Sequence, residues 1–300
     1  MISLIVHGGA WNIPDDTLEA HRKGVAQALQ IGWEVLRSGG TSVDAVERSL
    51  RCLENDGTFD AGCGSHFNAQ GVVELDASIM DGKTFRCGAV GAVQRVKNPI
   101  TLARKIMEAS EHILLVGVGA ELFASENGIP TCDPSELRSA REVKRWESIR
   151  ATEGFTTKMA FGNHPSDTVG VVALDDRGDL CAGTSTGGTP NKHPGRIGDS
   201  PLIGCGTYCD NAVGGVSTTG WGEGMIKVVM AKTVVDHMDH NGGDPQDAAE
   251  KGVAHLKKKV DGLGGVIALN RLGSFGVAFN TPRMARAYMS SAMHDPFVAV

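Results

Sequence analysis

Apolar residues recur along this chain at two spacings, and the change from one to the other marks out its elements. Residues 2–6 form a short continuous apolar run, which predicts a buried strand ending at His7-Gly8-Gly9, a turn where backbone can approach a ligand. Leu18, Val25, Leu29 and Leu36 return near the helical period, with Asp16 and Glu19 as a capping signal and Gly39-Gly40 as the stop. A second helix is expected from Thr41 or Ser42 to about Asn55-Asp56-Gly57, with Val43, Val46, Leu50 and Leu53 on one face. From Val73 the period falls to two, so that Val73, Leu75, Ala77 and Ile79 oppose Glu74, Asp76 and Ser78 across a half-buried strand, with residues 89–93 as its partner. Helical patterns follow over 99–109, 120–126 and 135–149.

Residues 152–167 lose periodicity and collect Gly154, Gly162, Asn163 and Pro165, which reads as a linker. Two apolar runs, 169–174 and 180–184, then flank the turn-forming stretch 175–179 and predict a β-hairpin. Helices over about 223–240 and 245–260 and strands near 266–269, 275–279 and 285–289 complete a mixed α/β chain without internal repeats. Its 300 residues suffice for one large domain or two small ones.

Composition narrows the partner. A net charge of -6 without a basic block argues against a nucleic-acid groove or an anionic membrane surface. No apolar run approaches the roughly 20 residues of a membrane span. Seven scattered cysteines and an amino terminus without a secretion signal point to reduced thiols in the cytoplasm. Forty glycines are nearly twice the usual roughly 7%, so loops that approach a small molecule closely are expected.

Several places could carry chemistry. If Arg177-Gly178 centre the hairpin turn, Asp176 faces Asp179 and Thr168 faces Gly187, with Thr186 a diagonal neighbour; a one-residue bulge would make Thr186 the direct partner. On spacing alone, Thr168 is better explained by the strand preference of threonine. Arg196 and Asp199 suit a zwitterion, with guanidinium on carboxylate and carboxylate on ammonium, or else form a local ion pair. Thr218-Thr219-Gly220-Trp221-Gly222 could present a hydroxyl and N–H groups to an oxyanion, or simply cap the following helix. Gly117-Val118-Gly119 has the start of a dinucleotide-binding turn, but Leu122 occupies the third glycine position. His237 and His240, beside Asp236 and Asp239, suit a solvated helix face better than a metal, and Cys205 and Cys209 lack redox or zinc spacing.

Taken together, His7-Gly8-Gly9-Ala10, residues 59–81, Asp167-Thr168-Val169-Gly170, Thr184-Ser185-Thr186-Gly187-Gly188, residues 195–201, Gly206-Thr207-Tyr208 with Asp210-Asn211, and Thr219-Gly220 resemble the plant-type asparaginase and isoaspartyl aminopeptidase family over nearly the whole chain. The resemblance implies a single N-terminal-nucleophile hydrolase domain over 1–300, folded as a four-layer αββα sandwich. It implies self-cleavage between Asp167 and Thr168 into an α chain of 1–167 and a β chain of 168–300. Thr168 would then be the nucleophile, Thr186 its hydrogen-bonding support, and Thr219 and Gly220 the oxyanion site. Arg196, Asp199 and Gly222 would bind the α-carboxylate and α-ammonium of L-asparagine or a β-aspartyl dipeptide. The family also implies a sodium ion on the backbone carbonyls of Leu53, Glu54, Phe59, Ala61 and Cys63, no organic cofactor, and a homodimer of αβ units.

Two departures bear on these expectations. Many members have glycine before the nucleophile, whereas Asp167 resembles glycosylasparaginase and taspase; with Trp11 it raises hydrolysis of glycosyl-asparagine as an alternative. A non-enzymatic nucleotide-binding α/β protein built on Gly117-Val118-Gly119 is an alternative of another class. Asp60 stands where many members have asparagine, and a carboxylate near the Thr168 amine would raise the amine pKa and move the acid limb of activity upward, a shift that Asp60→Asn would remove.

Overall fold

The computed structural model describes residues 1–155 and 168–300. Its strands are β1 (Ser3–Trp11), β2 (Leu75–Asp81), β3 (Cys87–Val93), β4 (Leu114–Val116), β5 (Val169–Leu174), β6 (Leu180–Thr186), β7 (Thr207–Asp210), β8 (Gly214–Gly220), β9 (Gly264–Asn270), β10 (Phe275–Phe279), β11 (Arg283–Ser290) and β12 (Phe297–Ala299). They form an eight-stranded sheet in the order β12-β11-β1-β5-β6-β2-β3-β4 and a four-stranded sheet in the order β10-β9-β8-β7. The helices are α1 (Leu18–Arg37), α2 (Ser42–Asp56), α3 (Pro99–Ala109), α4 (Gly117–Glu126), α5 (Ala140–Arg150), α6 (Gly222–Val228), α7 (Met230–His240) and α8 (Pro245–Val260).

Burial follows from how these stack. Helices α1, α2 and α3 cover the outer face of the large sheet, the two sheets face each other, and α7 and α8 cover the small sheet. This is the four-layer αββα sandwich implied by the resemblance. Three apolar layers hold it: Val46, Leu50 and Leu53 against Ala77, Ile79 and Val171, Ile5, Val172 and Ala182 against Ile267 and Leu269 between the sheets, and Val216, Val266 and Ala268 against Val234, Met238 and Leu256. Among the described residues no helix is long and apolar enough to cross a membrane.

Helix α2 keeps the predicted bounds because its ends are specified locally. Thr41 and Asp44 form a reciprocal capping box, and Gly57 closes the helix at φ 71°. Elsewhere tertiary context prevails. β1 runs through His7-Gly8-Gly9 instead of turning there; the glycines make a bulge between His7 and Ala10, with Gly9 at φ 93°. Asp16 does not cap α1, which grows from the short 3-10 turn Asp15–Thr17. β2 is buried on both faces because helices cover one and the small sheet the other. The helix expected over 135–149 divides into the 3-10 turn Pro134–Leu137 and α5, restarted by the Ser139 cap. That over 223–240 divides at Val229, whose φ is 48°. Most of the expected linker, residues 156–167 with Asp167, lies outside the described residues.

Candidate active site

The hairpin sets the site. Asp175 N–H donates to Asp179 C=O at 3.0 Å, so the turn spans one residue more than a centre at Arg177-Gly178 requires. Val169 consequently pairs with Ser185, and Thr168, one position beyond β5, faces Thr186 directly, as the expected register with one extra residue requires; the other expected pairing, with Gly187, is corrected. The Thr168 hydroxyl donates to Thr186 Oγ1 at 3.2 Å, and Gly188 N–H donates to the same oxygen at 3.0 Å.

On the face turned toward the small sheet, residues stack in rows. Ile5, Val172, Ala182 and Met80 form an apolar row. Above it His7, Gly170, Thr184 and Ser78 form a polar row. Thr186 pairs with Asp76 in the next. The polar row is satisfied internally. His7 Nε2 lies 3.0 Å from Ser217 Oγ, Ser217 2.7 Å from Thr184, Thr207 donates to Thr184 at 2.6 Å, and Ser78 donates to Ser200 C=O at 2.6 Å. Burial outweighs a hydrogen bond with the Thr168 backbone and pushes the His7 pKa down to about 3, so a neutral imidazole lies beneath the nucleophile candidate. Sequence reading gave His7 as part of a turn and of the family resemblance, without a role; its burial in a strand could not be seen there.

The small sheet supplies the opposite wall. Thr219 and Gly220 end β8. Thr219 Oγ1 is buried and has no hydrogen-bond partner among the described residues. Gly220 has φ 143°, and a Cβ there would lie 2.4 Å from Leu263 O, so only glycine fits. Neither threonine caps the next helix, whose N-cap is Trp221; Thr218 instead donates to Asp199 Oδ2 at 2.7 Å. The capping alternative is thereby removed.

Arg196 and Asp199 do not form the local ion pair. The Arg196 fork grips Glu223 through Nε and Nη2 at 2.8 Å each. Glu223 was missed, since its only sequence signal is a place at the start of a helix. A Cβ on Gly222 would lie 2.9 Å from both Arg196 Nη2 and Asp199 Oδ1, so the two side chains meet over that bare backbone. Burial, opposed by the Thr218 hydrogen bond and by Arg196, pushes the Asp199 pKa up to about 6. Thr168, Thr186, Arg196, Asp199, Gly220 and Gly222 line one cleft. A larger groove between α1 and α2, lined by Glu34, Arg48 and Arg51 among others, holds none of them.

Behind the cleft, α2 ends and its last carbonyls, including those of Leu53 and Glu54, have no helical partners. The chain then folds back through the 3-10 turn Gly62–Gly64. A Cβ on Gly62 would lie 2.1 Å from Glu54 O, and one on Gly64 2.1 Å from Phe59 O. Carbonyl oxygens thus crowd a loop whose remaining expected donors are those of Ala61 and Cys63. Asp60 C=O accepts from Gly187 N–H at 2.9 Å, which ties this loop to the strand end carrying Thr186.

Other sequence signals lie elsewhere. Trp11 is 3% exposed and packs edge-on to His21 in the core, so it does not line the cleft. A Cβ on Gly117 or Gly119 would meet nothing within 4 Å, and these glycines are not admitting close backbone. His240 Nδ1 lies 2.6 Å from Asp236 O, and no group of His, Cys, Asp and Glu suited to a metal occurs among the described residues. Cys205 and Cys209 are free and buried, and burial pushes the Cys205 pKa up to about 11.

A family profile described as Asparaginase matches residues 1–298. The chain is 44% identical over 282 residues to a bovine (Bos taurus) isoaspartyl peptidase/L-asparaginase, covering 94% of this chain and 91% of that protein. It is 43% identical over 282 residues to the Homo sapiens protein of that name, with the same coverage, and 40% identical over 284 residues to the Danio rerio protein, covering 95% and 91%.

Proposed function

The chain belongs to the asparaginase family, and from that premise we propose that it hydrolyses the side-chain amide of L-asparagine and the isopeptide bond of β-aspartyl dipeptides with Thr168 as nucleophile. The gathering of Thr168, Arg196, Asp199 and Gly220 around one cleft carries this reading. Self-cleavage between Asp167 and Thr168 supplies what a threonine hydroxyl lacks. An amide nitrogen cannot serve as a base, whereas a free α-amine with a pKa of about 7.7–8.0 can.

In the first half-reaction the amine takes the Thr168 Oγ1 proton as that oxygen bonds to the substrate carbonyl carbon. The Thr219 hydroxyl and Gly220 N–H stabilise the oxyanion. The protonated amine then gives its proton to the departing nitrogen, and ammonia or an amine leaves a Thr168 ester. Water attacks that ester, with the amine again as base, and frees aspartate. Arg196 binds the α-carboxylate, with Glu223 holding its fork in place, and Asp199 binds the α-ammonium beside Gly222. Comparing asparagine, β-aspartyl-leucine and glycosylated asparagine as substrates tests the assignment; turnover of the last alone would overturn it. Of the two residues that raise that alternative, Trp11 lies in the core and Asp167 lies outside the described residues.

Asp199 gives this binding a pH signature. Its carboxyl, at about 6 in the free protein, must be ionised to take the ammonium, so kcat/KM for asparagine should show a second acid limb near pH 6, below the limb set by protonation of the Thr168 amine. Asp199→Asn should abolish that limb and raise KM by about tenfold or more; an unchanged profile would count against the role.

The carbonyls of Leu53, Glu54, Phe59, Ala61 and Cys63 would hold sodium as neutral oxygen donors at a helix C-terminus. The ion would order the loop that anchors Gly187, and thermal unfolding in sodium against choline buffer tests this. For assembly we favour a homodimer of αβ units, because Leu114, Val116, Val118 and Leu122 expose apolar side chains together at the β4 edge. Sedimentation as a single αβ unit would remove that part. The seven free cysteines suit the cytoplasm.

A further inference from the structure

Three polar side chains lie in one row across the strands that end at the cleft. Thr168 faces Thr186, and Thr186 is directly opposed to Asp76 on β2. Side chains opposed in this way share a face, with Cβ atoms about 4.5–5.5 Å apart. Thr186 Oγ1 accepts from the Thr168 hydroxyl at 3.2 Å and from Gly188 N–H at 3.0 Å. A hydroxyl has two lone pairs and one hydrogen, so both lone pairs are taken and its own hydrogen remains to be placed. Asp76 has the complementary need. Its Oδ1 accepts from Ala92 N–H at 2.8 Å, where the β2–β3 pairing shifts and Ala92 has φ 52°. Its Oδ2 is buried and has no hydrogen-bond partner among the described residues.

The Asp76 carboxyl is fully buried but not electrically isolated. Lys192, 1% exposed, donates through Nζ to the C=O of Glu74 at 2.9 Å. Burial pushes the Asp76 pKa up, against the charges of Lys192 and Arg196, which leaves a carboxylate more basic than an exposed one. Self-cleavage needs such a group, because before it the Thr168 nitrogen is an amide and cannot take a proton from Oγ1.

We propose that Asp76 is a positioning residue for self-cleavage: its Oδ2 draws the Thr186 hydrogen, which makes Thr186 the proton acceptor for Thr168 Oγ1. This rests on Thr168 being the nucleophile of a cleavage at Asp167-Thr168. As Oγ1 bonds to the Asp167 carbonyl carbon, its proton passes to Thr186 and the Thr186 proton to Asp76. When the C–N bond breaks, the proton on Asp76 returns to Thr186, and Thr186 gives one to the departing nitrogen, which becomes the free amine. The Thr168 ester of Asp167 is left. Water attacks that ester with the new amine as base and releases the Asp167 carboxyl group and the Thr168 hydroxyl.

The test follows the full chain after cell-free synthesis, with cleavage timed on denaturing gels and folding checked by thermal unfolding. Asp76→Asn keeps the acceptor for Ala92 but puts an amide donor where Oδ2 stood, and cleavage should slow at least about 100-fold. In a Thr168→Cys background the thiol, with a pKa of about 8.5, needs less help from a base, so the same change should cost less than about tenfold. Cleavage of Asp76→Asn within about threefold of wild type, or an equal loss in both backgrounds, overturns the proposal; the second result would make Asp76 part of the scaffold alone. If Asp76→Asn does not fold, Thr186→Val, which removes the middle hydroxyl and leaves Asp76 in place, decides on the same two comparisons. A wild type that never cleaves would instead overturn the self-cleavage reading, so the two failures are distinguishable.

Discussion

Thr168→Ala should run as one unbroken chain of 300 residues on a denaturing gel, while the wild type separates into fragments whose masses match 1–167 and 168–300. Its kcat/KM should fall by at least about 1,000-fold, because the variant loses the nucleophilic oxygen and never frees the amine that serves as base. Thr168→Ser, which keeps the hydroxyl, should cleave and retain measurable turnover. The alanine variant should still fold, since Thr168 lies beyond the end of β5 and its hydroxyl contributes a single 3.2 Å contact to Thr186. A wild type that was fully active as one intact chain would refute the mechanism.

Thr219→Val separates catalysis from stability. The Thr219 hydroxyl is buried without a protein partner among the described residues, a state that costs about 1–3 kcal/mol relative to a satisfied group. Valine has nearly the same shape, so its methyl fills the space without that penalty. The expected result is a loss of about 100- to 1,000-fold in kcat, the usual effect of removing one oxyanion donor, with an unfolding temperature equal to or above wild type. Loss of both stability and activity would mean that the hydroxyl is structural. Unchanged kcat would remove Thr219 from the oxyanion site.

Legibility in the sequence followed the range of the forces involved. α2 was readable to within a residue or so at each end because Thr41, Asp44 and Gly57 specify its ends within a turn. The nucleophile pair was readable as one of two registers, since a hairpin is local, and the choice between them is made by a turn whose hydrogen bond skips to Asp179. β8 was not seen as a strand: Gly214 to Gly220 has no apolar alternation, because β7 and β9 flank it, the large sheet covers one face and α7 the other. Glu223 was missed for another reason. It takes its meaning from Arg196, 27 residues away, and a single charged side chain carries no periodic signature.

The five residues from Asp175 to Asp179 lie at the opposite end of the hairpin from the reacting atoms, six strand residues away, or about 20 Å. They nevertheless act as a measuring gauge. Because neighbouring side chains on a strand point to opposite sides, lengthening this bend by a single amino acid would hand Thr186's place to its neighbour and turn the supporting hydroxyl into the helix-covered layer. The remote loop therefore has a fixed permitted length although it touches no substrate, and surface changes there are tolerable only in kind, not in number.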